Sequence, residues 1–112
     1  MISSARQHFN AGEFRLALLA FEQVWHTERS DGLRALIQLC NALHQLQLGL
    51  VTAPRHNLGS AARLLAACDA DCAGIEPRLL LEYIQAVQSC IPDGLETGAG
   101  QVVWESVPRI QL

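Results

Sequence analysis

The sequence predicts an all-α fold: a compact bundle of about five helices with an extended C-terminal tail. Three observations predict it. Apolar residues recur at three- and four-residue spacing, as one face of a helix requires. Short turn-forming clusters separate these periodic segments, among them Asn10-Ala11-Gly12, Ser30-Asp31-Gly32, Ala73-Gly74 and Pro92-Asp93-Gly94. One segment, residues 33–48, is apolar over so wide an arc that neighbours on several sides must cover it.

The elements follow in order. Ser3 or Ser4 is placed to cap a first helix running to about Asn10. Asn10-Ala11-Gly12 then makes a tight turn, because Asn and Gly tolerate positive φ. A second helix over residues 13–27 carries the stripe Phe14, Ala17, Leu18, Phe21, Val24 and Trp25. Ser30-Asp31-Gly32 reads as the next turn. In the third helix, Leu33, Leu36, Ile37, Cys40 and Leu43 make one apolar face, and Ala35, Leu39, Ala42 and Leu46 make another. A narrow polar strip of Arg34, Gln38, Asn41 and Gln45 remains. Residues 49–53 read as a loop. Either Pro54 sits in the first turn of the fourth helix or Asn57 caps it, and that helix should end near Cys72. Glu76-Pro77 opens a fifth helix with the face Leu80, Tyr83, Ile84, Val87 and Ile91, stopped at Pro92-Asp93-Gly94. The division is thus a helical domain over residues 1–92 and a segment over 93–112. Val102, Val103, Trp104, Val107, Ile110 and Leu112 make that segment too apolar for a solvated tail, so it should pack back on the helices.

Composition narrows the function classes. A chain of 112 residues is one domain burying roughly two-thirds of its unfolded surface. Half of it is hydrophobic and only 17% is charged, against a usual share of about 25%. So few charges leave apolar area exposed, and contiguous apolar area on a small protein marks an interface. The eight basic residues are all arginine, dispersed from Arg6 to Arg109, and the net charge is −3. No basic cluster exists to displace counterions from a nucleic acid or an anionic membrane surface. Residues 35–54 carry no formal charge, yet Gln38, Asn41, His44, Gln45 and Gln47 interrupt them, which argues for a central helix over a membrane span. The first residues lack the apolar core of a signal peptide. The expectation is a cytoplasmic protein, with no membrane and no nucleic-acid partner, whose four cysteines are thiols.

The segment Phe9-Asn10-Ala11-Gly12-Glu13-Phe14, followed by Ala17, Glu22 and Trp25, resembles the bacterial and archaeal family called domain of unknown function 309. Leu36-Ile37-Gln38-Leu39, Asn57-x-Gly59 and Ala61-Ala62-Arg63-Leu64-Leu65 continue the resemblance, which covers about residues 9–65 with roughly four extra residues before Asn57. It implies a small helical fold. Where the family carries His-Glu, this chain has Leu18 and Leu19, so two groups capable of metal binding or acid–base chemistry are missing. At the level of one hairpin, Gly12-x-Phe14-x-x-Ala17-Leu18-x-x-Phe21 is similar to a tetratricopeptide repeat. No second copy recurs near that repeat's period of about 34 residues.

The candidate binding residues are Glu22, Trp25, Arg34, Gln38, Asn41 and His44. Glu22 and Trp25 are helical neighbours, and the strip of the third helix offers Arg34, Gln38 and Asn41 opposite them. The functional reading is a polar pocket with Glu22 as acid, base or ligand. The structural reading pairs Glu22 with Arg34 or Gln38 to fix the packing. Cys40-x-x-x-His44 and Cys68-x-x-x-Cys72 would have to converge to make a Cys3His zinc site, but the close Cys-x-x-Cys knuckle is absent, so neither metal nor cofactor is expected. No Ser-His-Asp order, phosphate loop or carboxylate pair is found. The leading expectation is a non-catalytic protein-interaction or self-association module, a homodimer. The alternatives are a small metal-binding or hydrolase-like protein with a polar pocket around Glu22, and a small-molecule binder beside Trp25.

Overall fold

The computed structural model of the protein describes residues 2–68, 74–91 and 104–112. Among them are five α-helices: α1 (Ile2–Asn10), α2 (Phe14–Thr27), α3 (Asp31–Gln47), α4 (Thr52–Ala66) and α5 (Pro77–Gln88). No strand occurs among the described residues, so the fold is an all-α bundle. None of these helices is long and apolar enough to cross a membrane.

Each helix packs on the next one in the chain, and α3 makes the most extensive contacts, held between α2 and α4. Leu33, Leu36, Cys40 and Leu43 on one side of α3 are buried, and so are Ala35, Leu39, Ala42 and Leu46 on the other. Ile37 alone of α3's predicted apolar faces stays half-buried. Phe9 and Phe14 meet edge to face across the first turn, with ring centroids 5.1 Å apart. Leu58, Leu80, Ile84 and Val87 continue the same core into α4 and α5.

Two glycines end helices in the same way. Gly12 follows α1 with φ of 80°; its N–H donates to Phe9 O at 3.0 Å and that of Glu13 donates to His8 O at 2.9 Å. Gly49 follows α3 with φ of 84°; its N–H donates to Leu46 O and that of Leu50 to Gln45 O, both at 3.0 Å. This paired pattern satisfies helix-end carbonyls and requires the left-handed backbone that glycine adopts without strain.

Helix boundaries depart from expectation in three places. α1 already includes Ile2, so Ser3 and Ser4 lie within its first turn. Ser30 is an N-cap, its Oγ accepting from Leu33 N at 3.1 Å, and α3 therefore starts at Asp31. A carboxylate in that first turn suits the positive end of the helix dipole. α4 begins at Thr52 with Pro54 in its first turn, where the missing N–H costs nothing. Asn57 consequently lies inside the helix, and its amide donates to Gln45 Oε1 on α3 at 2.9 Å. α4 ends at Ala66; Cys72 and the Ala73 half of the following break lie outside the described residues, as do Pro92-Asp93-Gly94, Val102 and Val103. Gly74 has φ of 81°, and Pro77 is the first residue of α5.

Residues 104–112 lie across α1, α2 and α5. Trp104 to Ser106 form a single 3₁₀ turn, and the Trp104 ring stands edge-on to Phe14 at 5.5 Å. The Arg109 guanidinium sits 5.7 Å from the Phe14 centroid and donates to Asn10 O at 3.3 Å. Leu112 N donates to Asn10 Oδ1 at 2.7 Å, and Arg6 donates to Leu112 O. The buried Tyr83 hydroxyl donates to Pro108 O at 2.9 Å.

Burial pushes the Tyr83 phenol up to about 12 from an ordinary value of 10.0, although the Arg109 charge works against the rise. The folded chain thus keeps its proton where the unfolded chain loses it, and stability falls as pH rises between those values. Because the sequence has one tyrosine, tyrosinate absorbance reports Tyr83 alone. Its alkaline midpoint is expected well above that of free tyrosine and should drop to the ordinary value in urea. Tyr83→Phe should cost about 1 kcal/mol at neutral pH, read from the urea midpoint, by leaving Pro108 O unpaired.

Candidate functional site

Two surface regions carry features that the core does not use. The first is built on the polar strip of α3. Arg34 and Gln38 are four residues apart, so they rise from one face of that helix. Glu22 and Trp25 stand three apart on α2, and together with Arg34, Ile37 and Gln38 they line a recess of about 190 Å³. On the far side of the strip, Arg34 and Gln38 also line a recess of about 260 Å³ with Ser60, Arg63, Leu64 and Ala67 from α4. Arg34 and Gln38 therefore form a shared wall, and the two recesses make one groove across α3.

The polar groups in this groove are incompletely paired. The side-chain oxygen of Gln38 is buried without a hydrogen-bond partner. Glu22 and Arg34 line the same recess, yet among the described residues no ion pair or hydrogen bond joins their side chains or occupies either side chain elsewhere. The expected pairing of Glu22 with Arg34 or Gln38 is thus not formed. Arg63 donates to Ser60 Oγ at 3.1 Å within its own helix. Trp25, half-buried, is covered by the Arg29 guanidinium 4.7 Å from its ring centroid.

Of the six residues singled out from sequence, Glu22, Trp25, Arg34 and Gln38 come together. Asn41 and His44 lie further along α3, half-buried, and line neither recess. The reason is chain direction. Gln47 donates to Gly12 O at 3.1 Å, so the end of α3 meets the start of α2. The second half of α2, with Glu22 and Trp25, then faces the first half of α3. Ser60 and Arg63 were not among the sequence candidates, because their facing depends on α4 starting at Thr52.

Cys40 is fully buried, and burial pushes its thiol far above the ordinary range, so it is a packed apolar group and a poor nucleophile. Cys72, which the zinc arrangement requires, lies outside the described residues. Among the described residues no three His, Cys, Asp or Glu side chains are grouped to hold a metal ion.

The second region is the outer face of α2. Leu16 is 46% and Leu19 45% exposed. At 100° per residue they share a stripe with Ala20, Gln23 and Thr27, which contains no charged residue. Arg15, Glu22 and His26 flank it on one side. Leu18, the other residue of the Leu18-Leu19 pair, is half-buried against the core.

No family model, no curated protein and no solved structure matches this chain.

The unpaired Gln38 oxygen generates a stability test. A buried acceptor without a partner costs about 1–3 kcal/mol, whereas an apolar group of similar shape avoids that cost. Gln38→Leu keeps helix propensity and should raise the urea midpoint by the equivalent of about 1 kcal/mol. A destabilised Gln38→Leu would show that the amide is satisfied in solution.

Proposed function

We propose that this protein is a non-catalytic self-association module, a homodimer formed through the outer face of α2. One observation carries the reading: Leu16 and Leu19 stand nearly half exposed, one turn apart, in a stripe without charge. Exposed leucines in isolation are ordinary, but helically spaced ones on a continuous uncharged stripe form a seam that a second copy satisfies by presenting the same stripe. The low charged share of the chain, 17%, supports the same reading.

Leu19 also occupies one of the two positions at which the family resembled by residues 9–65 carries its polar pair. The substitution takes a polar group from the face that would meet a partner and puts a large apolar one there. On this reading the chain is a divergent relative in which association has taken the place of polar chemistry at that turn.

The strength of the contact is bounded by its size. α2 has 14 residues and spans about 21 Å at 1.5 Å per residue. Two such helices bury less than the roughly 800 Å² per partner of a standard stable interface, so the dimer should be weak and concentration-dependent.

Sedimentation velocity across a concentration series should show a monomer–dimer equilibrium populated at high micromolar protein. The double variant Leu16→Glu, Leu19→Glu should be monomeric throughout. Its unfolding midpoint should stay within about 0.5 kcal/mol of the parent, since neither residue is part of the core. A parent that stays monomeric, or a variant that still dimerises, overturns the proposal.

A further inference from the structure

We infer that the recess between α3 and α4 binds a small carboxylate with an apolar body, its charged end held by Arg34, Arg63 and the Ser60 hydroxyl. This recess lies across the Arg34 and Gln38 wall from Glu22. The site is separate from the association face and does not depend on it.

Charge points to an anion. The recess is lined by Arg34, Gln38, Ser60, Arg63, Leu64 and Ala67, so two guanidiniums border it and no acidic side chain does. The arginines are dispersed along a chain of net charge −3. Their pairing here is a product of the fold, since the register of α4 brings Arg63 to the same recess as Arg34. Each guanidinium sits in the other's repulsive field, and among the described residues no carboxylate pairs with either one. A bound anion relieves both at once.

The donors match a carboxylate. Guanidinium presents planar N–H groups that fit its two oxygens. The side-chain donors of Arg34 are uncommitted among the described residues. Arg63 is steadied by donating to Ser60 Oγ at 3.1 Å. The Ser60 O–H itself donates to nothing among the described residues, which leaves a third donor for the ligand. Gln38 supplies wall alone, because its oxygen is sealed from solvent.

The remaining lining is apolar, from half-buried Leu64 and from Ala67. Burying apolar surface there favours a ligand with a hydrocarbon body over a bare inorganic ion. The recess measures about 260 Å³. An apolar cavity of about 150 Å³ accepts benzene, so a ring or short chain bearing a carboxylate has room. Both arginines are exposed, which makes this a fast-exchanging site.

The test is titration of the ¹⁵N-labelled full chain with 3-phenylpropionate, followed by amide and arginine side-chain shifts. Saturable shifts are expected at Arg34, Ser60, Arg63, Leu64 and Ala67. Two further probes separate the parts of the ligand: 3-phenylpropionamide lacks the charge, and inorganic phosphate lacks the apolar body. Each should bind about tenfold more weakly than 3-phenylpropionate. Arg34→Gln and Arg63→Gln should each weaken 3-phenylpropionate by about tenfold, the loss of one charge-assisted contact, and leave 3-phenylpropionamide unchanged. Both positions are exposed, so the variants should fold, and unshifted amide spectra away from the recess check this. No saturable shift at millimolar 3-phenylpropionate overturns the proposal. So does phosphate binding as tightly, which would make the recess a plain anion site, and so do shifts centred on Trp25 and Ile37, which would put the ligand in the other recess.

Discussion

The structure depends on the burial of α3 from two sides. A helix of 17 residues with nine of them buried cannot stand at the edge of a bundle. It needs one neighbour along Leu36 and Leu43 and another along Leu39 and Leu46, and the chain supplies α2 before it and α4 after it. Each of those helices then needs its own outer cover, which α1 and α5 provide. The serial packing of the five helices is therefore a consequence of one apolar arc. Shortening a fully buried leucine such as Leu36 leaves a cavity in the seam with one of these neighbours, so such changes fall in the costly range of about 2–5 kcal/mol.

That same arc explains why the groove exists. Two helices that flank α3 leave uncovered whatever part of its circumference is not apolar. The polar strip is that part. Closing α2 and α4 over it would bury the Arg34 charge and the amide of Asn41 without partners, a cost of several kcal/mol for the charge alone. The helices instead stand apart along the strip, and recesses open on either side of Arg34 and Gln38. Gln38 lies deep enough for its oxygen to lose water but too far from any donor to replace it.

How much of this was legible in the sequence follows from which signals are local. The α3 faces could be read directly, since periodicity reports burial when a helix is covered on both sides. The Ser30-Asp31-Gly32 cluster was misread as a turn because the residues that favour turns also cap helices. A side-chain oxygen that accepts from the backbone serves either geometry. Pro54 and Asn57 were both valid starts for α4, and the choice rests on a distant fact: the Asn57 amide is engaged by Gln45 from α3. For the groove, the helical spacing of Glu22 with Trp25 and of Arg34 with Gln38 was visible. Helix direction excluded His44 and Asn41, and direction emerges only from contacts such as Gln47 to Gly12. Arg63 and Ser60 were hidden for the same reason as Asn57, because α4's register decides which of its residues face α3.

Gly12 shows how one position carries two constraints. Its positive φ lets the first hairpin close, so any other residue there would strain the turn. A Cβ at Gly12 would also come within 3.2 Å of the Arg109 guanidinium, which packs on Phe14 and Trp104. The turn and the docking of residues 104–112 thus use the same missing side chain. The hairpin that opens the fold is held from outside by residues 104–112, through Trp104 on Phe14 and through Arg109 and Leu112 on Asn10. The stripe of Leu16 and Leu19 and the groove at Glu22 are left on the remaining surface of the helix.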